Sequence, residues 1–166
     1  DFWHVTTDAL DFALDTYGIT DAALRRDLLD AYLTLECYPE VEAVVGILKS
    51  RGLPLVILSN GSPEMLDAAV RNAGLDRMLD GVLSVEEVGT YKPHPSVYLL
   101  AVERLGVARE QISFQSSNAW DIAGAASFGF RTAWINRFGQ KRERLPFGAD
   151  AELKDLSGLP TLLGTA

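Results

Sequence analysis

Apolar residues recur along the first part of the chain at the three- and four-residue spacing of a helix face. Phe2, Val5, Ala9, Phe12, Ala13 and Tyr17 form one such series, and Leu24, Leu28, Ala31, Tyr32 and Leu35 a second. The spacing predicts two helices packed as a hairpin. Gly18 closes the first, and Asp21 caps the second because its short carboxylate can accept from the free N–H groups of a first turn. Pro39 to Arg51 keeps the helical period through Val41, Val44, Val45 and Leu48 and stops at Gly52. There the pattern changes. Leu53 to Leu58 (LPLVIL) is almost wholly apolar, as a strand buried on both faces would be. From this point strand-like and helix-like stretches alternate: a helix Pro63–Ala73 behind Ser62, a strand Gly81–Val85, a helix Pro95–Leu105 ended by Gly106, a strand Ile112–Gln115, a helix from Asn118 to Gly129, and a strand Arg131–Ile135. A short edge strand at Ala151–Leu153 and a last helical turn or two at Leu156–Leu163 complete the series. The alternation predicts an α/β fold, a doubly wound, Rossmann-like parallel sheet over 38–166, preceded by a partial helical cap over 1–37.

Composition acts mainly by exclusion. A chain of 166 residues with 48% hydrophobic content is large enough for one real core. Its net charge of −8, with basic pairs such as Arg25-Arg26 and Lys141-Arg142 scattered, argues against a nucleic-acid surface. No apolar run approaches the ~20 residues of a membrane span. A single cysteine, Cys37, excludes an internal disulfide framework and fits a reducing cytoplasm, with the thiol read as a small buried hydrophobe. His4 and His94 lack a third ligand of the kind a metal site needs.

Three polar clusters change the picture. Ser59-Asn60-Gly61-Ser62 follows an apolar strand directly, so its hydroxyl, amide and backbone N–H groups lie at the strand's carboxyl end and suit an anion. Lys92 stands in Tyr91-Lys92-Pro93-His94-Pro95, a loop stiffened by two prolines. Ser116, Ser117 and Asn118 end the next apolar strand, and Asp121 falls in the first turn of the following helix, where the dipole favours a carboxylate. Ala123 to Ala126 then give that helix a small face for close packing. Each cluster alone is ordinary turn or cap chemistry. Together they occupy the carboxyl ends of successive strands, where open parallel sheets bind ligands.

At these residues the chain resembles the haloacid dehalogenase superfamily, and within it the L-2-haloacid dehalogenases. LSNGS at 58–62, YKPHPSVY at 91–98, SSNAWD at 116–121 and FGFRTAWINR at 128–137 look like that family's second, third and fourth motifs and the strand beyond, and DFWHVTTDAL at the start is similar to its helical cap. The resemblance implies hydrolytic dehalogenation of a short L-2-haloalkanoic acid, a small 2-haloacid, to the D-2-hydroxy acid through an aspartyl ester, with no cofactor, no metal, and a homodimeric assembly. It assigns the substrate carboxylate to Ser59 and the departing halide to Asn60. Lys92 would keep the nucleophilic carboxylate ionised, and Ser116, Asn118 and Asp121 would position Lys92 and the hydrolytic water. Phe2 and Trp120 would wall the pocket. A magnesium-dependent phosphatase of the same superfamily is the alternative, but it carries an aspartate where this chain has Ser117. A truncated, non-catalytic chain is a further one.

The resemblance also implies something missing. The first motif, with its nucleophilic aspartate, has no match, and it and the halide-binding arginine are expected upstream of Asp1. The strand that carries the nucleophile would lie between the strands ending at Ser59 and Gln115. The expectation is that these two strands pair directly, borrow a strand from another chain, or stand apart in a protein longer than this chain, which by itself should not turn over.

Overall fold

The computed structural model describes residues 1–164, so the last two residues of the expected 38–166 unit lie outside it. α1 (Phe2–Thr16) and α2 (Ala22–Ala31) form the expected hairpin. Asp1 caps α1 by accepting from His4 N–H at 2.8 Å, and Asp21 accepts from Ala23 and Leu24. Arg25 pairs with Asp11 across the hairpin. α2 stops short of the expected Leu35, because the N–H groups of Tyr32, Leu33 and Thr34 turn back to carbonyls three residues earlier. The expected apolar face of α1 is left largely open: of its members only Phe2 is half-buried, and the buried residues lie on a neighbouring stripe. Thr6 and Leu14 are buried, whereas Phe12 is 75% and Tyr17 80% exposed.

α3 (Val41–Ser50) buries Val44 and Leu48 against Leu159 of α7 (Leu159–Leu162), with Leu55 and Leu153 packed beside them. β1 spans Val56–Ser59 rather than starting at Leu53. Pro54 has no N–H to give a ladder, and the N–H of Leu55 goes to the Asp80 carboxylate at 2.8 Å instead of a neighbouring strand. α4 (Pro63–Asn72) follows, capped by Ser62, then β2 (Gly81–Ser84), which ends one residue early because Val85 enters a 3-10 turn. α5 (Pro95–Leu105), β3 (Ser113–Ser116), α6 (Ala119–Phe128), β4 (Arg131–Ile135) and β5 (Ala151–Leu153) complete the alternation. Gly129 terminates α6 with φ +106°, a left-handed conformation that glycine adopts without a Cβ penalty.

All strand pairs are parallel, but the sheet is in two pieces: β1 pairs with β2, while β3, β4 and β5 form a separate three-stranded sheet. No ladder joins β1 to β3. Between them lies a cavity of about 210 Å³, walled by Val56, Ile57 and Leu58 on one side and Ser113, Phe114 and Gln115 on the other, with Ala101 and Phe130 behind. Of the expected outcomes, direct pairing is therefore excluded. The apolar run at β1, expected to be buried on both faces, is only half-buried along its length, as is β3, whereas β4 is buried from Thr132 to Ile135. The main core gathers Leu83, Tyr98, Leu100, Ile112, Ala125 and Phe130 behind these strands, and Tyr98, Phe114, Phe128 and Phe130 meet ring to ring at 5.2–6.0 Å.

Candidate active site

The three polar clusters meet at the carboxyl ends of β1 and β3. Lys92 Nζ donates to Asp121 Oδ2 at 2.9 Å, and the two side chains are 8% and 5% exposed. The other carboxylate oxygen is also occupied: the Tyr98 hydroxyl donates to Asp121 Oδ1 at 2.9 Å and lies 3.2 Å from the Asp121 carbonyl. Lys92 Nζ lies 4.9 Å from the centroid of the Phe114 ring. An ammonium buried to this degree is costly unless paired. Burial accordingly pushes the Lys92 pKa below the ordinary lysine range, and the Asp121 charge and hydrogen bond counter part of that drop. Burial first, then the neighbouring Asp121, pushes the Tyr98 phenol well above its usual range, so it remains a donor.

Asn60 joins the β1 end to the lysine loop. Its Oδ1 accepts the Lys92 backbone N–H at 3.0 Å, which turns its NH2 group, without a hydrogen bond among the described residues, to the opposite side. Ser59 Oγ accepts the Gly61 N–H at 3.1 Å. At the β3 end, Ser116 Oγ accepts the Asn118 N–H at 3.2 Å, and the Ser117 carbonyl accepts Trp134 Nε1 at 3.0 Å. Asn118 occupies the cap position of α6 without its side chain making a cap bond. Phe2 of α1 comes down on Tyr91, ring centroids 5.9 Å apart, next to Lys92.

The expected residues are thus not gathered equally. Lys92, Asp121 and Asn60 are directly linked. Ser59 and Ser116 stand at the strand ends without bonding Lys92 or Asp121, Asn118 meets Asp121 only through its carbonyl, which accepts the Asp121 N–H at 3.1 Å, and Phe2 reaches the loop through Tyr91. Trp120 is 39% exposed and has no ring partner among the described residues. His94 caps α5 by accepting from Ser96 N–H, and His4 lies beside Asp8 on the exposed face of α1, so neither histidine faces the site. Cys37 packs toward the Ala73 carbonyl, its thiol pKa raised mainly by burial.

Tyr98 is the member of the site that the sequence pattern passes over. On periodicity it reads as one apolar position on the buried face of α5. The available signal was that a buried tyrosine needs a partner for its hydroxyl, and Asp121 in the first turn of the next α-helix is one acidic residue that could supply it. With Oδ1 held by Tyr98 and Oδ2 by Lys92, Asp121 is poorly placed to serve as the oxygen ligand that Mg²⁺ demands, and Ser117 adds no carboxylate. Among the described residues no group of three or more His, Cys, Asp or Glu side chains could hold a metal ion.

Comparison with known proteins identifies the family. The family model for haloacid dehalogenase-like hydrolases matches residues 3–129. A relative named (S)-2-haloacid dehalogenase 1, from Pseudomonas sp. strain CBS-3, is 46% identical over 98% of this chain and 72% of its own length. The (S)-2-haloacid dehalogenase of Pseudomonas sp. strain YL is 47% identical over 99% of this chain and likewise 72% of its own. A crystallised L-2-haloacid dehalogenase superposes with a TM-score of 0.95 at 41% identity, covering 99% of this chain and 73% of that one.

Proposed function

This chain belongs to the haloacid dehalogenase-like hydrolase family, and from that premise we propose hydrolytic dehalogenation of short L-2-haloalkanoic acids as its function. The observation that carries the reading is the buried Lys92–Asp121–Tyr98 array at the carboxyl end of the cavity between β1 and β3. Lys92 is a cation whose one carboxylate partner among the described residues, Asp121, is shared with Tyr98. A second carboxylate arriving between β1 and β3 would meet the ammonium and stay ionised, as a nucleophile must.

The chemistry then follows from the positions. The nucleophilic carboxylate oxygen attacks C2 from the side opposite the halogen, the carbon–halogen bond breaks, and halide departs with the electron pair. Ser59 and the adjacent turn hold the substrate carboxylate, and the open NH2 group of Asn60 faces the halide. Water then adds to the carbonyl carbon of the resulting ester, restoring the enzyme carboxylate and releasing a hydroxy acid and a proton. Only the first step touches C2, and it inverts that centre, so an L-2-haloacid yields the D-2-hydroxy acid. Ser116 and Asn118 are assigned to the water, and Phe2 and Trp120 to the apolar walls that keep competing water from the first step.

The test is halide release by the complete enzyme. L-2-chloropropionate should be consumed and its D-enantiomer left, at a rate unchanged by EDTA and without hydrolysis of p-nitrophenyl phosphate. Activity abolished by chelation and restored by Mg²⁺ would replace this reading with the phosphatase one.

A further inference from the structure

We propose that Ser84, at the end of β2, is a positioning residue that fixes the carboxylate-binding turn 59–62. The proposal rests on the assignment of Ser59 and its turn to the substrate carboxylate. β1 and β2 are in register with Ser59 opposite Ser84, so the two serines end their strands side by side. Ser84 is 5% exposed and sits between the fully buried side chains of Leu83 and Val85, which leave its backbone no freedom to drift. Its hydroxyl donates to the Gly61 carbonyl at 2.7 Å, and its oxygen accepts the Glu86 N–H at 3.2 Å.

The bond to Gly61 has a consequence on the far side of the peptide. The Gly61–Ser62 bond is trans, so its carbonyl and the Ser62 N–H point in opposite directions. Pinning the carbonyl toward β2 therefore aims the Ser62 N–H away from β2, and among the described residues that N–H has no acceptor. The turn is held from two other sides as well: Ser59 Oγ takes the Gly61 N–H, and Asn60 Oδ1 takes the Lys92 N–H. Behind it, α4 leaves little room, since a Cβ on Gly61 would come within 3.0 Å of Leu66 Cδ2. Without the Ser84 hydroxyl, the Gly61–Ser62 peptide is the one part of the turn free to rotate. Substrate carboxylate binding should then weaken while the displacement at C2, governed by Lys92 and the nucleophile, is little changed.

The experiment compares Ser84→Ala and Ser84→Thr in the complete enzyme, reading kcat and KM for L-2-chloropropionate and the dissociation constant of propionate, which has the carboxylate but no leaving group. For Ser84→Ala, KM and the propionate constant should each rise about fivefold with kcat within about twofold, the scale of one neutral hydrogen bond. Ser84→Thr should restore both. Should Ser84→Ala fail to fold, Ser84→Val against Ser84→Thr, equal in shape and different only in the hydroxyl, makes the same comparison. Unchanged KM and propionate binding in the alanine variant, or a threonine variant as impaired as the alanine one, overturns the proposal. A parent enzyme that releases no halide overturns the functional reading, and propionate binding then still decides the role of Ser84.

Discussion

Gly124 lies in the middle of α6, where glycine is a poor choice on local grounds: alanine is better in a helix interior by about 1 kcal/mol. The packing reverses that preference. A Cβ at this position would lie 2.5 Å from the Tyr98 hydroxyl oxygen and 2.6 Å from Pro93 Cβ, against the ~3.5–4.0 Å of ordinary contact, so Gly124→Ala must push one or both neighbours back by roughly 1 Å. Neither yields easily. Tyr98 is fully buried in the aromatic cluster, and Pro93 follows the lysine whose ammonium is tied to Asp121. Overpacking of this kind costs about 1–3 kcal/mol, which leaves a net loss of about 0–2 kcal/mol after the helix gain. The functional effect should be larger. Tyr98 and Lys92 grip the two oxygens of one carboxylate at 2.9 Å each, and a displacement of ~1 Å in a positioned catalytic group can cost on the order of 100-fold in rate. The assay is thermal unfolding and kcat on L-2-chloropropionate, with Gly46→Ala in α3 as the control. A Cβ at Gly46 meets only Met78 Cε at 3.8 Å, an ordinary contact, so that variant should gain the helix-propensity benefit, a Tm rise of about 2–4 °C, with kcat unchanged. If Gly124→Ala behaves like Gly46→Ala, melting higher and turning over normally, the close approach of α6 to the lysine loop does not govern the site.

Three further outcomes follow from the same geometry. Burial holds the Lys92 pKa below that of an unfolded lysine, about 10.4. Between the two values the unfolded chain keeps a proton that the folded chain has lost, so this group's contribution to stability rises with pH across that window. Denaturant unfolding of Lys92→Met against the parent chain reads this contribution, and a difference between the two that stays constant as pH rises toward ~10.4 contradicts the assignment. Tyr98→Phe strips Asp121 Oδ1 of its donor at a buried site and should cost about 1–3 kcal/mol in denaturant unfolding, together with a clear loss of kcat; a variant as stable and active as the parent removes Tyr98 from the site. Because no second carboxylate bonds Lys92 among the described residues, the 166-residue chain assayed by itself should release no halide from L-2-chloropropionate, and measurable turnover would place the nucleophile within it.

Much of the fold is legible in the chain itself because its causes are local. The helical periods, the capping carboxylate Asp21, the proline starts of α4 and α5 and the glycine after α6 act within a turn of where they stand, so the boundaries of α4, α5 and α6 agree closely with the pattern, as does the placing of the polar clusters at strand ends. What the pattern misjudges is set by partners distant in sequence. β1 begins at Val56 rather than Leu53 because Asp80 captures the Leu55 N–H. The α1 face read from the apolar period is largely open, and Thr6 and Leu14 beside it are buried instead, because burial depends on what packs against a helix as well as on its period. The break between β1 and β3 is among the outcomes expected from the family resemblance, but it is not written in either strand, since an apolar run gives no sign of which neighbour pairs with it. At the site, sequence supplies Lys92 and Asp121 as residue types in suitable turns. Only the fold brings them to 2.9 Å across 29 positions, adds Tyr98 to the other oxygen, and requires a bare Cα at Gly124. Local propensity is fixed by the residue and its near neighbours, whereas a buried charge, its partners and the space they need exist only once helices and strands have packed.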